Sequence, residues 1–106
     1  MEYKVVYNEL PGGFSLSKIA AKWIYENGRD EIKKIAEKGY ITANEIERHD
    51  VDLIRCIETL GGSLASGICS YLVVHTLRGN SYRIQENIDG TEKVCEPDDD
   101  EYITIP

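Results

Sequence analysis

The chain has 106 residues, 42% hydrophobic and 29% charged, with a formal net charge of −7. That length supports one self-standing domain, 1–106, which buries roughly 60–70% of its unfolded surface without help from disulfides or a metal. The acidic balance disfavours direct nucleic-acid binding, and no apolar run approaches the ~20 residues needed to cross a bilayer. Met1-Glu2-Tyr3-Lys4 lacks the basic segment and apolar core of a signal peptide, so a cytoplasmic location with no membrane partner is expected.

Tyr3 to Asn8 is rich in β-branched and aromatic residues and reads as a short strand, stopped by Pro11-Gly12-Gly13. Ser15 or Ser17 can cap the helix that follows, whose core face is expected to carry Leu16, Ile19, Ala20, Trp23, Ile24 and Asn27. Asn27-Gly28 either ends it or bends one longer helix. Asp30 can cap the next segment, with Ile32, Ile35 and Ala36 in phase and Gly39 at its end. Thr42-Ala43-Asn44-Glu45 matches a capping box but supports only a turn or two.

Asp50 precedes a further helix with Leu53, Ile54, Ile57 and Leu60 on one face and Gly61-Gly62 as its stop. From Ile68 to Leu77 both alternating sets are apolar, as in a central strand covered on two faces. Tyr82, Ile84, Glu86 and Ile88 then alternate with polar residues. Asp89-Gly90 signals a two-residue hairpin that would place Ile88 opposite Thr91, Glu86 opposite Lys93 and Ile84 opposite Cys95. After the charged run Asp98 to Glu101, Tyr102 to Ile105 can return as an edge strand. The expected fold is α+β: an N-terminal strand, two to three helices, then a C-terminal antiparallel β-meander, with the helices on one face of the sheet.

Three cysteines (Cys56, Cys69, Cys95) and two histidines (His49, His75) at spacings unlike those of metal ligands argue against a zinc site, and the thiols are expected to act as small hydrophobes. No catalytic constellation stands out and no cofactor is implied. The strand, glycine pair and serine-capped helix start at Gly12, Gly13, Ser15 and Ser17 can cradle an anion on free helix N–H groups, although the stretch lacks the lysine of a P-loop and the third glycine of a dinucleotide fingerprint. The simpler reading is a glycine turn with no ligand. Glu86 in an apolar phase and His75 on the neighbouring strand form a second candidate, for acid-base chemistry, against which Lys93 opposite Glu86 would make a plain cross-strand ion pair.

The order of Gly12-Gly13-Phe14-Ser15-Leu16-Ser17 after a strand, Arg48-His49-Asp50 before a helix, and Ile88-Asp89-Gly90-Thr91-Glu92 in a late hairpin resembles a family of small uncharacterised proteins of bacteriophages and large DNA viruses. Nearly the whole chain takes part. Asn8 also matches the family's opening pattern, while Leu10 and Pro11 stand where it has cysteine and tyrosine, and Val51 where it has proline. The resemblance implies a virus-encoded accessory protein, one that interferes with host defence, and lends no enzymatic activity. The leading expectation is a non-catalytic module binding a nucleotide-like or other anionic small molecule through Asn8, Gly12, Gly13, Phe14, Ser15, Ser17, Arg48, Asp50, Glu86, Asp89 and Glu92. The alternatives are an acidic inhibitor that occupies a host protein through Asp98 to Glu101, and an enzyme using Glu86 and His75; a homodimer is compatible with each.

Overall fold

A computed structural model describes residues 2–96 and 103–106. The fold is α+β: strand β1 (Lys4–Asn8), helices α1 (Lys18–Asn27), α2 (Asp30–Ala36), α3 (Val51–Leu60) and α4 (Gly62–Ala65), then strands β2 (Leu72–Thr76), β3 (Ser81–Glu86), β4 (Glu92–Cys95) and β5 (Ile103–Thr104). The strands form two small antiparallel sheets, β1-β2 and β4-β3-β5. The run Asp98 to Glu101 and Tyr102 lie outside the described residues.

The β1-β2 ribbon separates two cores. Val6 and Leu72 join the larger one, with Ala20, Ala21, Ile24, Leu53, Cys56 and Ile57 of the helices. Val5, the next residue of β1, points the other way and packs with Leu77 and Tyr82. Alternation along a strand thus feeds both sides, and the strand buried on two faces is β1 more than β2. The expected strand from Ile68 contracts to Leu72–Thr76, and Ile68 is in solvent.

Local signals set the helix ends. Ser17 Oγ accepts the Ala20 N–H at 3.0 Å, and Asp50 Oδ1 accepts from the N–H groups of Asp52 and Leu53 at 2.8 and 3.1 Å. The Thr42 capping box forms around a single 3-10 turn, Ala43–Glu45. Gly28 is extended and divides α1 from α2; a Cβ there would stand 2.5 Å from Ile32 Cγ2. Arg29, not Asp30, occupies the cap position of α2, and its side chain makes no capping bond.

Two helix faces differ from the expected ones. Ile19 is exposed while Ala21 is buried, and α1 approaches α3 closely enough for the Cys56 thiol to reach the Ala20 carbonyl at 3.7 Å. On α3 the buried set is Asp52, Leu53, Cys56 and Ile57, so a carboxylate takes a core position.

The β3-β4 register also differs, pairing Glu86 with Glu92, Gln85 with Lys93, Ile84 with Val94 and Arg83 with Cys95. The loop has three residues, Ile88 to Gly90, closed by the Asn87 N–H on Thr91 O at 2.8 Å, with Gly90 at φ 95°. A left-handed third residue is the usual solution for that loop length. The one-residue shift turns Lys93 outward and Glu92 inward, and Ile88 is left in water.

Candidate functional site

The glycine turn is one side of a junction between three loops. The Gly12 N–H donates to Asp89 O at 2.7 Å. A Cβ on Gly12, where φ is 119°, would lie 2.6 Å from Cys69 Cβ, and a Cβ on Gly90 would lie 2.3 Å from Gly13 N. Glycine is required here so that backbones can touch. The space that an anion would take beside Gly12 is filled by the chain itself.

Beneath the junction lies a buried polar network. Asn8 is fully buried at the end of β1, and its amide uses every donor and acceptor site: Nδ2 donates to Leu10 O at 2.6 Å and Gly90 O at 3.0 Å, and Oδ1 accepts from Leu10 N at 3.2 Å and Tyr71 N at 2.9 Å. The Asn8 N–H donates to Glu92 Oε1 at 2.9 Å. Arg48 grips the same carboxylate with two parallel bonds of 2.5 and 2.7 Å, and its guanidinium lies over the Phe14 ring at 3.9 Å. The side chains are 15% and 1% exposed for Arg48 and Glu92, so the pair is largely withdrawn from water. Planar, bidentate geometry of this kind suits arginine and not lysine.

Asn8, Gly12, Gly13, Phe14, Arg48, Asp89 and Glu92 therefore meet, and the remaining expected residues do not join them. Ser15 bonds within the 66–70 loop, its carbonyl accepting from Gly67 N and Ser70 Oγ, both at 2.9 Å. Ser17 Oγ, besides capping α1, donates to Leu64 O at 2.6 Å. The start of α1 is thus closed over by α4.

Asp50 pairs with Arg29, which also donates from Nε and its backbone N–H to the 1%-exposed Asp52 at 2.6 and 3.1 Å. Burial pushes the Asp52 carboxyl up, but the Arg29 bonds outweigh it and hold it below its ordinary range. Asp89 Oδ1 closes its own turn by accepting from Thr91 N and Oγ1, which keeps its carboxyl low.

Glu86 is exposed, and His75 is not its neighbour. His75 pairs with Val5 in the β1-β2 ribbon, whereas Glu86 pairs with Glu92 in the other sheet. The expected acid-base pair therefore does not form. His75 Nε2 instead lies 3.5 Å from Glu96 Oε2, and Glu96 accepts from the Arg78 backbone N–H at 2.6 Å. Neither does Lys93 oppose Glu86. Among the described residues no cluster of His, Cys, Asp and Glu could hold a metal ion, and no helix is long and apolar enough to cross a membrane.

Open space lies beside the network. A cleft of about 590 Å³ is lined by Tyr7, Glu9, Leu10, His75, Glu92, Lys93 and Val94. The Tyr7 and His75 rings meet edge to face at 6.4 Å, and the Tyr7 hydroxyl donates to Glu9 at 3.0 Å. A second groove of about 320 Å³ reaches His49, whose Nδ1 is 2.7 Å from the buried Tyr82 hydroxyl. Burial pushes that phenol up to about 12, so it serves as a hydrogen-bond group and not as a base.

Sequence reasoning missed Tyr7, Lys93 and Asp52. Tyr7 sits on a strand position whose orientation depends on pairing with Val73 far along the chain, and the face that Lys93 takes depends on the length of the hairpin loop. The third could have been found from its place in the Leu53-Cys56-Ile57 phase together with Arg55 one turn on. Comparison of the chain with protein-family models, with curated proteins and with solved structures finds no match.

Proposed function

We propose that this chain is a small virus-encoded accessory protein, a non-catalytic module that binds a nucleotide-like or other anionic small molecule and interferes with host defence. The phage and DNA-virus resemblance supports the context. The observation that carries the binding reading is the cleft between β1-β2 and β4, which sets an ammonium, two aromatic rings and carboxylate acceptors around one open volume of about 590 Å³. Lys93, exposed and without an ion-pair partner among the described residues, would meet the anionic group. Tyr7 and His75 offer ring edges to a base, and Glu9 accepts from ribose or base donors. The ligand's seat is this cleft and not the glycine turn or the start of α1, where the Asp89 carbonyl already takes the Gly12 N–H and the Ser17 hydroxyl is bonded to Leu64 O. Arg48 acts from behind by fixing Glu92 in the floor.

The test is a titration of nucleoside triphosphates and cyclic nucleotides followed by amide NMR shifts. Shifts confined to Tyr7, Glu9, His75 and Lys93, with affinity at least tenfold weaker in Lys93→Ala, are expected. Absence of binding up to about 1 mM, or binding indifferent to Lys93, would refute the reading.

A further inference from the structure

Three segments far apart in the chain end at one place, the junction where Gly12 meets Asp89 and Cys69. Ile88 is the neighbour of Asp89, Ile68 is the neighbour of Cys69, and Leu10 is two residues before Gly12. The three aliphatic residues thus stand within two chain positions of this junction. Ile68 is 92% exposed and Ile88 wholly so, and Leu10 and Tyr71 are each close to half exposed.

A lone exposed isoleucine is ordinary on a protein surface, but several large apolar side chains on one junction make a patch of the kind that marks interaction sites. The backbone that carries them is tied down by hydrogen bonds. Asn8 ties Leu10, Tyr71 and Gly90 together through one amide, and Gly90 is in backbone contact with Gly13. Apolar groups held rigidly in water lose little conformational freedom when a partner covers them, which favours binding.

Charge tells what kind of partner fits. Residues 8–13, 66–71 and 86–91, which build the tip, contain Glu9, Glu86 and Asp89 and neither lysine nor arginine. Lys93, on the strand that follows, is opposite Gln85 and exposed at the cleft. A second copy of this chain, itself at −7, would set acid against acid across a contact that excludes water. We propose that the tip formed by Leu10, Ile68, Tyr71 and Ile88 is a docking surface for a protein that presents an apolar recess bordered by lysine or arginine. Leu10 is shared with the rim of the small-molecule cleft, whereas Ile68, Tyr71 and Ile88 lie outside its lining.

An amphipathic helical peptide with leucines on one face and lysines on the other tests the chemistry, with the matching leucine–glutamate peptide as control. Amide NMR should place the lysine peptide on residues 10–13, 67–71 and 86–90, with affinity falling as salt rises. The Ile68→Ser/Ile88→Ser variant, altered only at exposed positions, should bind at least tenfold more weakly while its circular dichroism is unchanged. Glu86→Lys should weaken binding about threefold and flatten the salt dependence. Shifts centred elsewhere, equal binding of the two peptides, a loss under twofold in the isoleucine variant, or self-association through the tip in sedimentation would overturn the proposal.

Discussion

Replacing Glu92 by glutamine is the sharpest probe of how the three loops are held. The glutamine side chain keeps the shape and can still accept the Asn8 N–H, but Arg48 loses its counter-charge while only 15% exposed. Removing one partner of a buried pair costs about 3–5 kcal/mol, since the other charge stays behind uncompensated. Arg48 keeps some water and the Phe14 ring, which places the expected loss near the lower end, about 3 kcal/mol. Against a total stability of about 5–15 kcal/mol this is a large share, and at about 4–8 °C per kcal/mol it lowers Tm by roughly 12–24 °C. Urea melts read on Trp23, the single tryptophan, which packs against the main core, give the value directly. Arg48→Met alone should also destabilise, whereas Arg48→Met with Glu92→Gln removes both charges, so the pair should be coupled by about 2 kcal/mol or more. A Glu92→Gln cost under about 1 kcal/mol, or additivity within about 0.5 kcal/mol, would refute the idea that this ion pair clamps the junction.

Asp52, held below its ordinary range by Arg29, contributes stability that is complete above that range and lost as pH falls through its lowered value. Asp52→Asn should therefore be less stable than the parent at pH 7, with the gap in urea midpoints closing below about pH 4. Gly90→Ala sets a Cβ against Gly13 N at a positive φ and should cost about 2 kcal/mol or more. Gly79→Ala, where a Cβ meets nothing within 4 Å, should be neutral or stabilise by about 0.5 kcal/mol in the same melts. Burial pushes the Cys56 thiol up to about 12, so a thiol reagent at pH 8 should modify exposed Cys69 readily and Cys56 only on unfolding, as peptide mapping would show.

What could be read in advance was local. Ser17, Asp50 and the Thr42-Glu45 box fix helix starts through side chains within three residues of the groups they cap, and each does so in the structure. Asn8, Gly12, Phe14, Arg48, Asp89 and Glu92 meet as a closed junction whose polar groups bond to one another, and that arrangement rests on contacts between distant segments. Which hairpin acid joins them was hidden, because a three-residue loop in place of a two-residue one exchanges Glu92 for Lys93 on the inner face. Pairing between strands distant in sequence was hidden too. Nothing near His75 says that it faces Val5 of β1 and not β3. Ile19 misled for a related reason: which residues of α1 face the core is set by how the helix docks on its neighbours, and a period count weighs only polarity.

The bond from Asn8 to Glu92 spans 84 positions of the chain. During synthesis β1 leaves the ribosome long before β2, Arg48 or Glu92 exist to receive it, and α1 to α3 are complete while Asn8 and the Gly12 N–H are still in water. Helical contacts are local and form quickly, whereas these closures carry the loop entropy of most of the domain. Closure of the junction by the β3-β4 hairpin ties the first strand to the last third of the chain, so the two ends of the domain depend on one another. Truncation before Glu92, which removes 15 residues, would then leave the Asn8 N–H and the Arg48 guanidinium without their shared acceptor.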